Sequence, residues 1–135
     1  MNHHLSRNVA ALTGFFAVAC GAFGAHVLHS RFDALGTLSI WQTGVLYHLV
    51  HSVVLLAISR WNPFPRLAFW LVLGGVVVFS GSLYLLALTN IHWLGAITPL
   101  GGLGMLGGWL ALIFKGRSWR GEAPEAPTDS RSAER

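Results

Sequence analysis

The sequence predicts an all-α fold, an antiparallel four-helix transmembrane bundle, and two observations predict it. Hydrophobic residues fill 53% of the 135 positions and Asp, Glu, Lys and Arg only 10%, against the ~25% charged fraction of soluble domains. The apolar residues also gather into four stretches, residues 8–28, 40–59, 67–88 and 91–114. Each is close to the ~20 residues with which a helix crosses ~30 Å of hydrocarbon. Residues 1–114 therefore read as one four-span domain, and 115–135 as a basic juxtamembrane segment running into a polar, disordered cytoplasmic tail. So short a chain has no room for a soluble catalytic module.

The net charge of +4 does not point to nucleic acid, because the basic residues flank apolar spans and form no patch with aromatic interleaving. Arg7, the Arg60/Arg66 pair between spans two and three, and Lys115, Arg117 and Arg120 all fall on one side of a four-span chain. The other side holds Arg31, offset by Asp33. By the positive-inside rule both termini are cytoplasmic and the protein is a multi-pass protein of a bacterial inner (plasma) membrane.

Span one carries small residues at Ala17, Gly21 and Ala25, a row that admits a close neighbouring helix. Cys20, the lone cysteine, excludes an intramolecular disulfide. It follows Ala17-Val18-Ala19 as in a lipoprotein cleavage box, yet the chain stays apolar to Leu28, so the span reads as retained. Ser30 to Asp33 fits a capping box opening a short segment, with Phe32, Leu35 and Leu38 free to lie on the membrane surface until Gly36 interrupts it. Ser39 to Gln42 fits a second box at the start of span two, with Trp41 in the interfacial belt.

Asn62-Pro63-Phe64-Pro65 forbids helix continuation and makes a tight loop. Span three is broken only by Gly74, Gly75 and Gly81. Asn90, His92 and Trp93 mark the next turn. Pro99 is helix-breaking in one of two ways: Thr98-Pro99 opens a helix as N-cap and first residue, or Pro99 kinks a longer helix by freeing the Gly95 carbonyl. Span four is glycine-rich, with Gly104 and Gly108 spaced for close helix contact.

Of seven histidines, His3 and His4 are terminal, and His26, His29, His48, His51 and His92 fall in the outer half or beyond. His48 and His51 are three residues apart and share a helix face. Two imidazoles so placed begin a metal site, a haem site or a proton relay. No span supplies an acidic or basic residue to complete one, so neutral histidines hydrogen-bonded across helices are expected, with no metal and no cofactor. No nucleophile, base and orienter stand at a hydrolytic spacing, and no phosphate-binding glycine loop follows a strand.

Four blocks of the chain resemble the domain of unknown function 423 family, the YgdD-like small four-span integral membrane proteins. They are residues 21–28 (GAFGAHVL); Trp41-Gln42-Thr43-Gly44 with Tyr47 and His51; residues 79–88 from Phe79-Ser80-Gly81-Ser82-Leu83-Tyr84; and Thr98-Pro99-Leu100-Gly101-Gly102 with Gly108-Trp109. The resemblance covers the membrane part in order and implies the fold and a membrane location, without an activity. It places His26, Gln42, Tyr47, His51, Ser80, Ser82, Tyr84, Thr98 and Pro99 on matched positions, while His48 stands where the family also accepts glutamine. From the topology, His26, Gln42, Tyr47, His51, Tyr84 and Thr98 are the candidates for one polar cluster toward the outer side, shared by all four helices.

The expected function is that of a non-enzymatic accessory or interaction protein, with the lipid bilayer and a membrane-protein partner or a second copy as its partners. Two other classes stand beside it. One is an oligomeric transporter or proton-linked carrier using His26 and His51, and the other a metal- or haem-binding membrane protein.

Overall fold

A computed structural model describes residues 3–119; most of the segment expected to be a disordered tail, from residue 120 on, lies outside the described residues. The chain forms α1 (His3–His26), α2 (His29–Leu35), α3 (Leu38–Ile58), α4 (Arg66–Thr89), a short 3-10 turn (His92–Ala96) and α5 (Thr98–Trp119). There is no strand among the described residues. Among the described residues four segments are long and apolar enough to cross a membrane: His4–His26, Leu38–Ile58, Arg66–Thr89 and His92–Lys115. The expected helix over 91–114 divides at Pro99, which sits in the first turn of α5. A proline there loses no hydrogen bond, because the first helical N–H groups have no partner within the helix.

The long helices lie side by side in chain order, α1 against α3, α3 against α4 and α4 against α5. Among the described residues no Cα of α1 comes within 8 Å of α4 or α5, so the bundle is open between its first and last helices. α4 is consequently the innermost helix: 44% of its most apolar stretch is buried within the protein, against 17% for α1. One core, around Leu55, Ile58, Phe69, Val72 and Leu112, fills the end nearest the α3–α4 loop. A second, around Phe32, Trp41 and Ala87, fills the end nearest α2.

At that second end the structure departs from the surface-lying segment expected of residues 30–38. Phe32 is fully buried, its ring 4.8 Å from that of Trp41, so Trp41 is a core residue. Neither capping box forms. α2 starts at His29 with no side-chain cap, and Asp33 pairs with His29 at 3.0 Å. α3 starts at Leu38, which leaves Ser39 inside the helix, its carbonyl accepting the Thr43 hydroxyl at 2.9 Å. α2 and the turn after it help to cap α4, whose last carbonyls have no partner within the helix. Asn90, in the left-handed conformation at φ 58°, donates its N–H to the Leu86 carbonyl at 2.7 Å. The buried Thr37 hydroxyl donates to the Ala87 carbonyl at 3.0 Å and the Arg31 guanidinium to the Leu88 carbonyl at 2.9 Å.

The small-residue row on α1 is also displaced from the expected one. Ala17 is buried and Gly21 lies against Val45, but Ala25 is exposed and Gly24 takes its place. Ala10, Ala17 and Gly24 repeat every seven residues, the spacing of a left-handed helix pair, whereas a strict four-residue spacing drifts off the contact face. A Cβ on Gly24 would overlap the Trp41 indole, whose N–H donates to the Cys20 carbonyl at 3.1 Å. Gly104 and Gly108 face α4, at Gly75 and Val72.

Candidate functional site

Polar side chains inside the spans must find partners within the protein, because hydrocarbon offers none. His51 lies about 20 Å along α3, near the membrane midplane. Its Nδ1 is 2.9 Å from the Tyr47 carbonyl, which can only accept, so this nitrogen carries the proton. Its Nε2 then accepts, and the Trp109 indole N–H of α5 donates to it over 3.4 Å. Both ring nitrogens are thus engaged in the neutral form, and the residue is 7% exposed. The Tyr47 ring stacks nearly parallel on His51 and packs 4.5 Å from Phe79 of α4, so the network ties α3 to both later helices.

His48, on the adjacent face of α3, belongs to a different network. Its Nδ1 is 3.2 Å from the Tyr84 hydroxyl of α4. Tyr84 in turn packs 4.5 Å from Trp41, and Trp41 on Phe32. The four rings form a ladder from α2 down toward the midplane. A third pair closes α4 onto α5: the Ser82 and Thr98 hydroxyls are 2.8 Å apart, and Ser82 also reaches the Phe79 carbonyl at 2.9 Å.

The single polar cluster expected from the sequence is therefore three separate contacts. Tyr47 and His51 sit together, Tyr84 joins His48, and Thr98 joins Ser82, while His26 and Gln42 are exposed and belong to none of them. The reason is angular: residues matched by height alone spread around α3, where 47 and 51 face one way and 44 and 48 another. Trp109 is the participant that sequence reasoning missed. Its signal was its position: an indole halfway along a span, away from the interfacial belt, has an N–H that must find an acceptor in the protein.

Metal coordination is poorly served by this arrangement. Among the described residues no three His, Cys, Asp or Glu side chains come together in a group that could hold an ion. His51 would have to release Tyr47 or Trp109 to offer a lone pair. The chemistry that the geometry does supply is fixation: each contact bridges two or three helices, and cross-helix hydrogen bonds in bilayers contribute roughly 0.6 to 2 kcal/mol apiece.

Comparison with known proteins places this chain in a family. Residues 20–102 match the family model described as "Protein of unknown function (DUF423)". A UPF0382 membrane protein of Staphylococcus saprophyticus is 43% identical over 110 residues, covering 78% of this chain and 91% of its own. The UPF0382 membrane protein YwdK of Bacillus subtilis is 39% identical, with 78% and 89% covered. The UPF0382 inner membrane protein YgdD of Escherichia coli is 40% identical, with 77% and 82% covered. No solved structure matches the chain. With a matched model over more than half its length and relatives aligned over more than three quarters of it, this chain is an integral membrane protein of the DUF423 family, whose biochemical role is uncharacterised.

Proposed function

We propose that the protein is a non-catalytic accessory or interaction subunit of the bacterial inner membrane, with both termini in the cytoplasm. The observation that carries this reading is the engagement of both His51 ring nitrogens, by the Tyr47 carbonyl and the Trp109 indole. A histidine so held serves as a joint between α3 and α5, and the Tyr47 ring stacked on it extends the contact to Phe79 of α4. The open arrangement of the spans adds support, since among the described residues α1 and α5 each pack along one long helix.

The orientation rests on charge. Arg7, Arg60, Arg66 and Lys115 all stand toward one end. At the other end Arg31 is committed to the Leu88 carbonyl and Asp33 to His29. The positive-inside rule puts the first end in the cytoplasm.

Extraction in mild detergent tests the reading: a membrane partner that co-purifies in fixed stoichiometry is the expected outcome, and a monodisperse protein without one counts against it. Proton-linked transport is the rival class. Liposome flux that disappears in His51→Ala, with the variant still folded, would replace the accessory reading with that one.

A further inference from the structure

Because α1 and α4 both pack on α3 but not on each other, a groove of about 430 Å³ runs between them. That is within the ~300 to 1,000 Å³ of small-molecule sites. Its walls are apolar, with Val9 and Phe16 on one side and Val77 on the other, and His48, Ser80 and Tyr84 also line it. Its side toward the bilayer is open, so a molecule dissolved in the membrane can enter laterally.

One residue of this lining carries an anomalous atom. Ser80 is 1% exposed, and its Oγ has no hydrogen-bond partner among the described residues. Serines in apolar helices normally bond the carbonyl one turn back, as Ser52 does at 2.6 Å. An unpaired buried hydroxyl costs about 1 to 3 kcal/mol. Its neighbours do not need it: Tyr84 already meets His48 at 3.2 Å. Ser80 is therefore a hydroxyl donor held without an acceptor beside an apolar groove.

We propose that this groove binds a membrane-soluble carbonyl compound of the isoprenoid-quinone class, with the Ser80 hydroxyl donating to the carbonyl and the tail lying along Val9, Phe16 and Val77. Depth selects this class over phospholipid. Ser80 is nine residues from the end of α4, about 14 Å into the span, whereas phospholipid ester carbonyls stay at the boundary of the ~30 Å hydrocarbon core. A mid-bilayer acceptor belongs to a molecule that partitions there whole. The site stands independently of whether a protein partner exists.

The test is protein-observed NMR of the full chain in nanodiscs, titrated with a short-chain ubiquinone and separately with decane. The expected result is a saturable shift at the Ser80 and Gly81 amides with the ubiquinone alone. Ser80→Ala should weaken the midpoint about five- to tenfold, the loss of one hydrogen bond, without loss of fold, because Oγ holds nothing in the protein. Gly81→Leu should abolish the shift by filling the groove; a Cβ there meets nothing within 4 Å, so the helices remain. The proposal is overturned by an absent or non-saturating shift, by an equal response to decane, or by a midpoint that Ser80→Ala leaves unchanged.

Discussion

Substituting Gly101 by alanine tests the packing of α4 on α5 with a single methyl group. An added Cβ would overlap the Phe79 backbone nitrogen and stand 2.7 Å from both the Gly75 carbonyl oxygen and the Phe79 Cα. All three atoms are backbone, so no side-chain rotation relieves the clash. α5 must move off by roughly 1 Å to bring the nearest of these atoms back to ordinary contact, in an interior packed as densely as an organic crystal. Overpacking of this kind costs about 1 to 3 kcal/mol. The intrinsic preference of helices for alanine, about 1 kcal/mol in water, offsets little here, because in a bilayer the separated helices stay helical. The net expectation is a loss of about 1 to 3 kcal/mol.

Gly74→Ala is the matched control: it lies on the same helix as the contacted Gly75, but its Cβ meets nothing within 4 Å. It should change stability by less than about 0.5 kcal/mol. Reversible unfolding in mixed detergent micelles, followed by far-ultraviolet circular dichroism and tryptophan emission, reads both. Equal stabilities for the two variants would refute the close backbone contact between α4 and α5.

Three further outcomes follow from the same geometry. Thr37→Val removes the hydroxyl on the Ala87 carbonyl at nearly constant volume; it should cost about 1 to 2 kcal/mol and speed amide exchange over residues 86–90, and unchanged exchange would contradict the capping role. Arg31→Met, at an exposed contact, should cost less than Thr37→Val in the same assay, and the reverse order would show that the guanidinium carries the cap. Trp109→Phe keeps the ring but withdraws the donor to His51 Nε2; a loss of about 0.6 to 2 kcal/mol in thermal unfolding is expected, and a variant as stable as the parent would argue that the indole N–H is not bound there.

The spans were legible because length and hydropathy are properties of single segments. So was the family, carried by residues in four blocks along the chain. What sequence did not reveal concerns which way a side chain faces once two helices meet. Ala25 and Gly24 both read as small residues, and it is the heptad repeat from Ala10 through Ala17, with the absence of a Cβ, that selects Gly24 for the indole. Phe32 suited a surface-lying segment by composition, yet the ring ladder with Trp41 and Tyr84 draws it inside. His48 and His51 share a broad face of α3, but three residues turn them about 60° apart, enough to give one to α4 alone and the other to Trp109. The capping boxes failed for a local reason: α2 and α3 each begin one residue before the serine that would have capped them.

The central claim is that the intramembrane histidines hold helices together, and it is tested most directly by the tautomer of His51. Nitrogen-15 NMR of histidine-labelled protein in nanodiscs distinguishes a protonated from a bare ring nitrogen. The account predicts a neutral ring with the proton on Nδ1, and a bare Nε2 correlated through the hydrogen bond with the Trp109 indole proton and losing that correlation in Trp109→Phe. A proton on Nε2, or a metal-bound Nε2, would contradict it and return the histidine to the carrier or metal-binding classes.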